Sequence, residues 1–244
     1  MDTSLTRRTL ILGGTAAGGA ALAPATAAWT EAQDARSPAV APAGPAMTPD
    51  EALALLKKGN EDFLADVEPV AETGHERRMA LAHGQTPFCA YVTCSDSRVP
   101  PELLFSRGLG ELFIIRNAGN TLDLLALGSV EYAVAVLQVP LVVVMGHESC
   151  GAVDGAMQVV AKNARFPGAI GKMIEPIIPA VLASRGQQGD PLENAVKQNV
   201  RRVTRMLRED SDPIMLTPQR DGRLKVVGAY YELDSGRVDF FDTV

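Results

Sequence analysis

Two stretches decide the fold: Phe88-Cys-Ala-Tyr-Val-Thr-Cys-Ser-Asp-Ser-Arg98 and Leu141-Val-Val-Val-Met-Gly-His-Glu-Ser-Cys-Gly151. Each opens as a short apolar run behind a proline, Pro87 or Pro140, the pattern of a strand buried on both faces. Each then changes abruptly to residues that can do chemistry. Cys94, Asp96 and Arg98 follow the first run, and His147 and Cys150 follow the second. An extended backbone turns residues i, i+2 and i+4 to one side, so Cys94, Asp96 and Arg98 are expected to face one crevice. The segment from Gly151 to Val160 reads as a helix with Cys150 at its first turn, where backbone N–H groups and the helix dipole favour a thiolate. Both clusters thus fall at the carboxyl ends of strands, where open parallel sheets bind ligands.

The chain holds three cysteines and three histidines, and two of the former and one of the latter lie in these clusters. Two thiolates and one imidazole suit zinc and leave one tetrahedral position for water or a carboxylate. An open position distinguishes a catalytic zinc from a structural one. A disulfide between Cys94 and Cys150 is an alternative, but it leaves Asp96, Arg98 and His147 without a role. A serine hydrolase is a poorer reading, because the Gly146 to Gly151 segment has no Gly-x-Ser-x-Gly elbow. Cys89 lies inside the first strand and reads as core. His75 and His83 flank an expected helix and are candidates for passing protons to solvent.

The Cys-x-Asp-x-Arg and His-x-x-Cys motifs, in this order, resemble those of the β-class carbonic anhydrases. Gly110 to Asn120 and Ser129 to Ala135 are similar to the family's segments at these places, and the resemblance runs from about Leu53 to Asp234. It implies one zinc per chain on Cys94, His147 and Cys150, and reversible hydration of carbon dioxide to bicarbonate and a proton by a zinc-bound hydroxide. Asp96, held by Arg98, would orient that hydroxide, and in a closed resting form Asp96 would itself ligate the metal. Gln85 matches the glutamine with which plant-type members bind bicarbonate. Phe113 and Tyr132 match the pocket's aromatic wall, contributed across the interface of a homodimer or higher homo-oligomer. Tyr91 stands where members with an inhibitory bicarbonate site carry tryptophan, while Arg116 occurs in both subgroups. Two other readings stay open: hydrolysis of carbonyl sulfide or carbon disulfide on the same scaffold, and a non-catalytic zinc or bicarbonate-binding module. The Asp96 and Arg98 pair speaks against a purely structural site, which would fill its fourth position with another Cys or His.

Composition fits one globular domain: 244 residues, 46% hydrophobic and 21% charged, enough for a real core. A net charge of −6 with no basic patch argues against nucleic acid. Beyond the N-terminus no segment has the length and apolarity of a membrane span. Residues 1–27 resemble a twin-arginine signal: Arg7 and Arg8, an apolar run from Leu10 to Ala23, and a small-residue cleavage site at Ala25-Thr26-Ala27. Export to the periplasm is therefore expected. Residues 28–46, including Trp29, read as an Ala/Pro-rich linker, and 47–244 as the catalytic domain.

Within that domain Thr48-Pro49-Asp50-Glu51 reads as a capping box opening a helix, and Arg77 to Ala82 as a second helix. Leu112 to Ile115 reads as a strand, Leu124 to Leu137 as a long, largely buried helix, and Pro191 to Leu207 as a polar-faced helix. Arg201, Arg202 and Arg205 on the last are expected on a solvated face or in intersubunit pairs. Leu224 to Phe241 reads as a hairpin turning at Asp234-Ser235-Gly236. The alternation predicts an α/β fold: a parallel-core sheet flanked by helices, with a C-terminal antiparallel extension.

Overall fold

A computed structural model of the protein describes residues 47–67 and 72–243. The expected signal segment (1–27) and linker (28–46) lie outside the described residues. Helix α1 (Pro49–Leu64) starts at a complete capping box. The Glu51 N–H donates to Thr48 Oγ1, and the Glu51 carboxylate accepts from the Thr48 N–H at 2.8 Å. Each removes an unpaired donor from the helix start. Then come α2 (His75–Leu81), β1 (Cys89–Thr93), α3 (Pro101–Leu104) and β2 (Leu112–Arg116). A 3-10 turn at Ala118–Asn120 leads to α4 (Leu124–Ala135), β3 (Leu141–His147), α5 (Gly151–Lys162), α6 (Ala169–Ile174) and α7 (Ile178–Ala183). The chain closes with α8 (Pro191–Glu209), α9 (Pro213–Arg220), β4 (Lys225–Tyr231) and β5 (Val238–Asp242).

The strands form one sheet in the order β2-β1-β3-β4-β5. The first four are mutually parallel, and β5 alone runs antiparallel, on β4. The terminal hairpin therefore extends one edge, as expected, but its first strand belongs to the parallel core. Every residue of β1 and β3 is buried, as a sheet covered by helices on both faces requires. Alternation divides them between two cores: Cys89, Tyr91, Leu141, Val143 and Met145 on one side, and Ala90, Val92, Val142 and Val144 on the other.

Strand β3 runs two residues beyond the apolar run, so His147 is its last residue and shares the strand's rigidity. Gly146 permits this placement. A Cβ there would stand 2.5 Å from Val196 Cγ1 and 2.9 Å from Val200 Cγ2, so only glycine lets α8 pack this closely over the end of β3. Cys150 is the N-cap of α5 rather than a residue of its first turn.

The expectation that the helix from Leu124 is largely buried is corrected. Only Ala126, Val130, Ala133 and Val134 of α4 are buried, whereas Leu124, Leu125 and Tyr132 are 82%, 80% and 47% exposed. A helix against one face of a sheet can bury only one side. An apolar sequence on its other side remains open unless something else covers it. Arg201 and Arg205 are exposed and Arg202 is half-buried, in line with the expected solvated face, and Arg201 also stacks 4.8 Å from the Phe241 ring. Among the described residues no helix is long and apolar enough to cross a membrane.

Candidate metal centre

The ends of β1 and β3 are adjacent in the sheet, and the parallel register pairs Thr93 with Met145. The next residues of both strands therefore emerge at the same rim. Cys94 and Cys150 are 5% and 1% exposed, and His147 is 0% exposed. One ligand atom from each of the three lies within 4.8 Å of the others.

The imidazole is oriented. His147 Nδ1 lies 2.8 Å from the Glu148 carbonyl oxygen, which can only accept, so the proton sits on Nδ1 and the Nε2 lone pair faces the two sulfurs. That Nε2 is buried without a hydrogen-bond partner, an arrangement costly to maintain unless a ligand meets it. The thiols point the same way. The Cys94 thiol is pulled well below its usual range, first by a hydrogen bond from Cys150 and further by His147 and the Gly119 N–H, while burial opposes. The Gly119 N–H donates to Cys94 Sγ at 3.3 Å. The same contact pushes Cys150 up, because its thiol keeps the proton it donates to Cys94, and burial and the Cys94 charge add to the shift; both could be thiolates only with a cation between them. Two sulfurs and an unpaired imidazole nitrogen, all buried, fit zinc.

Asp96 stands at the open side of this cluster. Arg98 grips it with a fork, Nε to Oδ1 at 2.9 Å and Nη2 to Oδ2 at 2.8 Å, and its backbone N–H adds a third contact to Oδ1 at 2.9 Å. These bonds hold the Asp96 carboxyl well below the usual carboxylate range, so it is ionised near neutral pH. Its Oδ2 is still 3.9 Å from His147 Nε2, so one carboxylate oxygen touches both Arg98 and the metal cluster's surroundings. Arg116, at the end of β2, donates to the Cys94 carbonyl at 2.9 Å and also to the Asp96 carbonyl. It thereby fixes the backbone that carries both side chains.

The carbonic anhydrase family description matches residues 89–238. Carbonic anhydrase 2 of Mycobacterium tuberculosis is 36% identical over 200 residues, covering 82% of this chain and 96% of that protein. The chain belongs to the carbonic anhydrase family. A carbonic anhydrase of Mycolicibacterium smegmatis is 36% identical over 195 residues, covering 80% and 94%. Among solved structures, the β-carbonic anhydrase CcaA superposes with a TM-score of 0.60 at 26% identity, covering 80% of this chain and 92% of that one. A tetrameric β-carbonic anhydrase from Sordaria macrospora gives 0.60 at 25% identity, covering 67% and 85%. Fold and motifs place this carbonic anhydrase in the β class. Neither the sulfur-substrate hydrolase nor the non-catalytic module draws support from these relatives.

The remaining expected site residues do not gather around the metal cluster of their own chain. Gln85 is exposed and lines a cavity of about 550 Å³ with Arg78, Leu81, Leu109 and Gly110. Phe113 and Tyr132 face each other with ring centroids 6.1 Å apart. Phe113 packs on the core that holds Ala90 and Val92, whereas Cys94 and Cys150 belong to the other. Tyr91 is fully buried against Phe105, with its hydroxyl on Met145 Sδ. Cys89 is buried and its thiol is pushed up by desolvation, as an inert core thiol should be. His75 and His83 are exposed at the two ends of α2.

Sequence reasoning did not find the support given by Arg116, the Gly119 N–H and Glu148. Each contact has a backbone group at one end, and Arg116 and Gly119 lie 22 and 25 residues from Cys94, so no local spacing announces such a partner.

Proposed function

We propose that this enzyme reversibly hydrates carbon dioxide to bicarbonate and a proton at one zinc ion held by Cys94, His147 and Cys150. The observation that carries the reading is the buried, unpartnered His147 Nε2 beside two thiols, with the Asp96 and Arg98 fork at the open side. Zinc bound there supplies Lewis acidity, lowering the pKa of a water toward about 7, as is usual for carbonic anhydrase zinc. Asp96 would accept a hydrogen bond from the O–H of the attacking oxygen and so turn that oxygen's lone pair toward carbon dioxide. Arg98 keeps the carboxylate ionised and aimed, which suits orientation better than general-base work. The same carboxylate would ligate the metal in a closed form only after releasing Arg98.

Gln85, Phe113 and Tyr132 would then bind substrate in the pocket of a second copy, as in plant-type members. Two observations support a homodimer or larger homo-oligomer. Strand β2 is an edge of the sheet, and the first turn of α4 presents Leu124 and Leu125 with most of their surface open. An apolar patch of this kind beside a sheet edge calls for a protein partner.

Stopped-flow measurement on the zinc-loaded protein tests the function. Hydration of carbon dioxide well above the buffer rate is expected. A protein holding one zinc per chain that adds nothing to the buffer rate would overturn the assignment.

We also propose export to the periplasm by the twin-arginine route, on the strength of Arg7 and Arg8 ahead of the apolar run. That route carries folded proteins, so zinc could meet the thiols before an oxidising compartment does. Replacing both arginines by lysine should leave the protein in the cytoplasm. Unchanged export in a fractionation assay would refute the route without touching the activity.

A further inference from the structure

The contact that orients His147 continues away from the metal cluster into the C-terminal hairpin. Glu148, whose carbonyl accepts from His147 Nδ1, is held at two further points. Its backbone N–H donates to the Tyr231 carbonyl at 2.9 Å, and its carboxylate Oε2 accepts from the Leu233 N–H at 2.9 Å. Tyr231 ends β4, and Leu233 lies in the turn before β5. The next residue, Ser149, has φ +55°, so the chain reverses at once and returns Cys150 to the cluster. The peptide that aims the imidazole is thus a tight reversal pinned to the hairpin from both the backbone and the side chain of one residue.

We propose that Glu148 is a positioning residue for the metal. Its carboxylate accepts from the Leu233 N–H, clamping the β4–β5 turn to the His147 loop, and so sets the aim of Nε2. The inference rests on the metal-centre reading above. An imidazole can turn about two side-chain bonds, and its direction here is fixed by the carbonyl that Nδ1 meets. That carbonyl moves with the plane of the peptide between Glu148 and Ser149. One backbone hydrogen bond to Tyr231 leaves this plane able to rock about the strand end, and the bond to Leu233 supplies the second point. A backbone N–H bonded to a carboxylate is roughly twice as strong as a neutral pair, which suits a clamp on an exposed turn. Partners of this kind, one step removed from a metal, typically change its affinity by about 10- to 100-fold.

The test compares the zinc-loaded parent with Glu148→Ala and Glu148→Gln. Zinc affinity is read by competition with a chromophoric chelator, ligand geometry by the visible spectrum of the cobalt-substituted protein, and fold by circular dichroism. The alanine variant should lose about 10- to 100-fold in zinc affinity and show an altered cobalt spectrum. Glutamine, whose amide oxygen still accepts from Leu233, should stay close to the parent in both. Should the alanine variant fail to fold, Glu148→Asp, which keeps the charge but is one methylene too short to reach Leu233, carries the same expectation as alanine. Parent affinity and spectrum in the variant that loses the contact would overturn the inference, and so would a glutamine variant as weak as alanine. A parent that binds no zinc would instead overturn the metal-centre reading itself.

Discussion

Replacing Cys150 by serine should strip the protein of zinc, and with it of carbon dioxide hydration, while leaving the fold intact. The two halves of this expectation have separate causes. A serine hydroxyl is not ionised near neutral pH and offers zinc a hard, neutral oxygen in place of a thiolate. The loss of affinity should therefore exceed the roughly 100-fold upper end usual for residues that only support a ligand. The fold should survive because Cys150 occupies the N-cap of α5, where its own side chain makes no capping hydrogen bond. Serine is nearly the same size and is among the preferred N-cap residues, so the start of the helix loses nothing. Elemental analysis of the purified variant beside its circular dichroism spectrum decides the matter. A folded Cys150→Ser protein with one zinc per chain would remove Cys150 from the ligand set.

Asp96→Asn should behave in the opposite way, keeping zinc and fold but losing about 10- to 100-fold in hydration rate. The amide has nearly the shape of the carboxylate but carries no charge, and one of its two positions donates where an acceptor is needed. Arg98 now grips both carboxylate oxygens, so an amide cannot satisfy the fork and present an acceptor to the pocket at once. A neutral amide is also a poor zinc ligand beside two thiolates, so the change disfavours the closed form. A drop in rate would therefore reflect lost orientation in the open form rather than a blocked metal. Activity equal to the parent at every pH, with zinc content confirmed, would show that Asp96 has no part in the reaction.

Much of the architecture could be read locally. The apolar runs before Cys94 and after Pro140 are β1 and β3, and the capping box at Thr48 starts α1. The hairpin turn lies where Asp234-Ser235-Gly236 puts it, with Gly236 at φ +75°. These features depend on a few consecutive residues, whose backbone preferences and burial pattern are written into their order. The helix from Leu124 shows where that stops. Apart from Ser129 and Glu131 its sequence spreads apolar residues around the helix, so periodicity does not mark which side meets the sheet, and only the packed structure shows Leu124 and Leu125 in the open. The site divides in the same way. Motif spacing proposes Cys94, Asp96, Arg98, His147 and Cys150 as candidates, but not the clamp that Glu148 makes with Leu233, 85 residues further along the chain.

The sequence alone determined the α/β class and the candidate donor set. Hydrophobic period and residue chemistry are local properties, and they survive without knowledge of neighbours. Only the tertiary structure decided that β1 and β3 are adjacent and in register, which brings one ligand atom from each of Cys94, His147 and Cys150 within 4.8 Å of the others. It also decided that Arg116 and Glu148 hold the two ligand loops from separate edges of the site. Strand order and backbone partners across the chain follow from how whole elements bury their faces against one another. That is a property of the assembled core and of no single stretch.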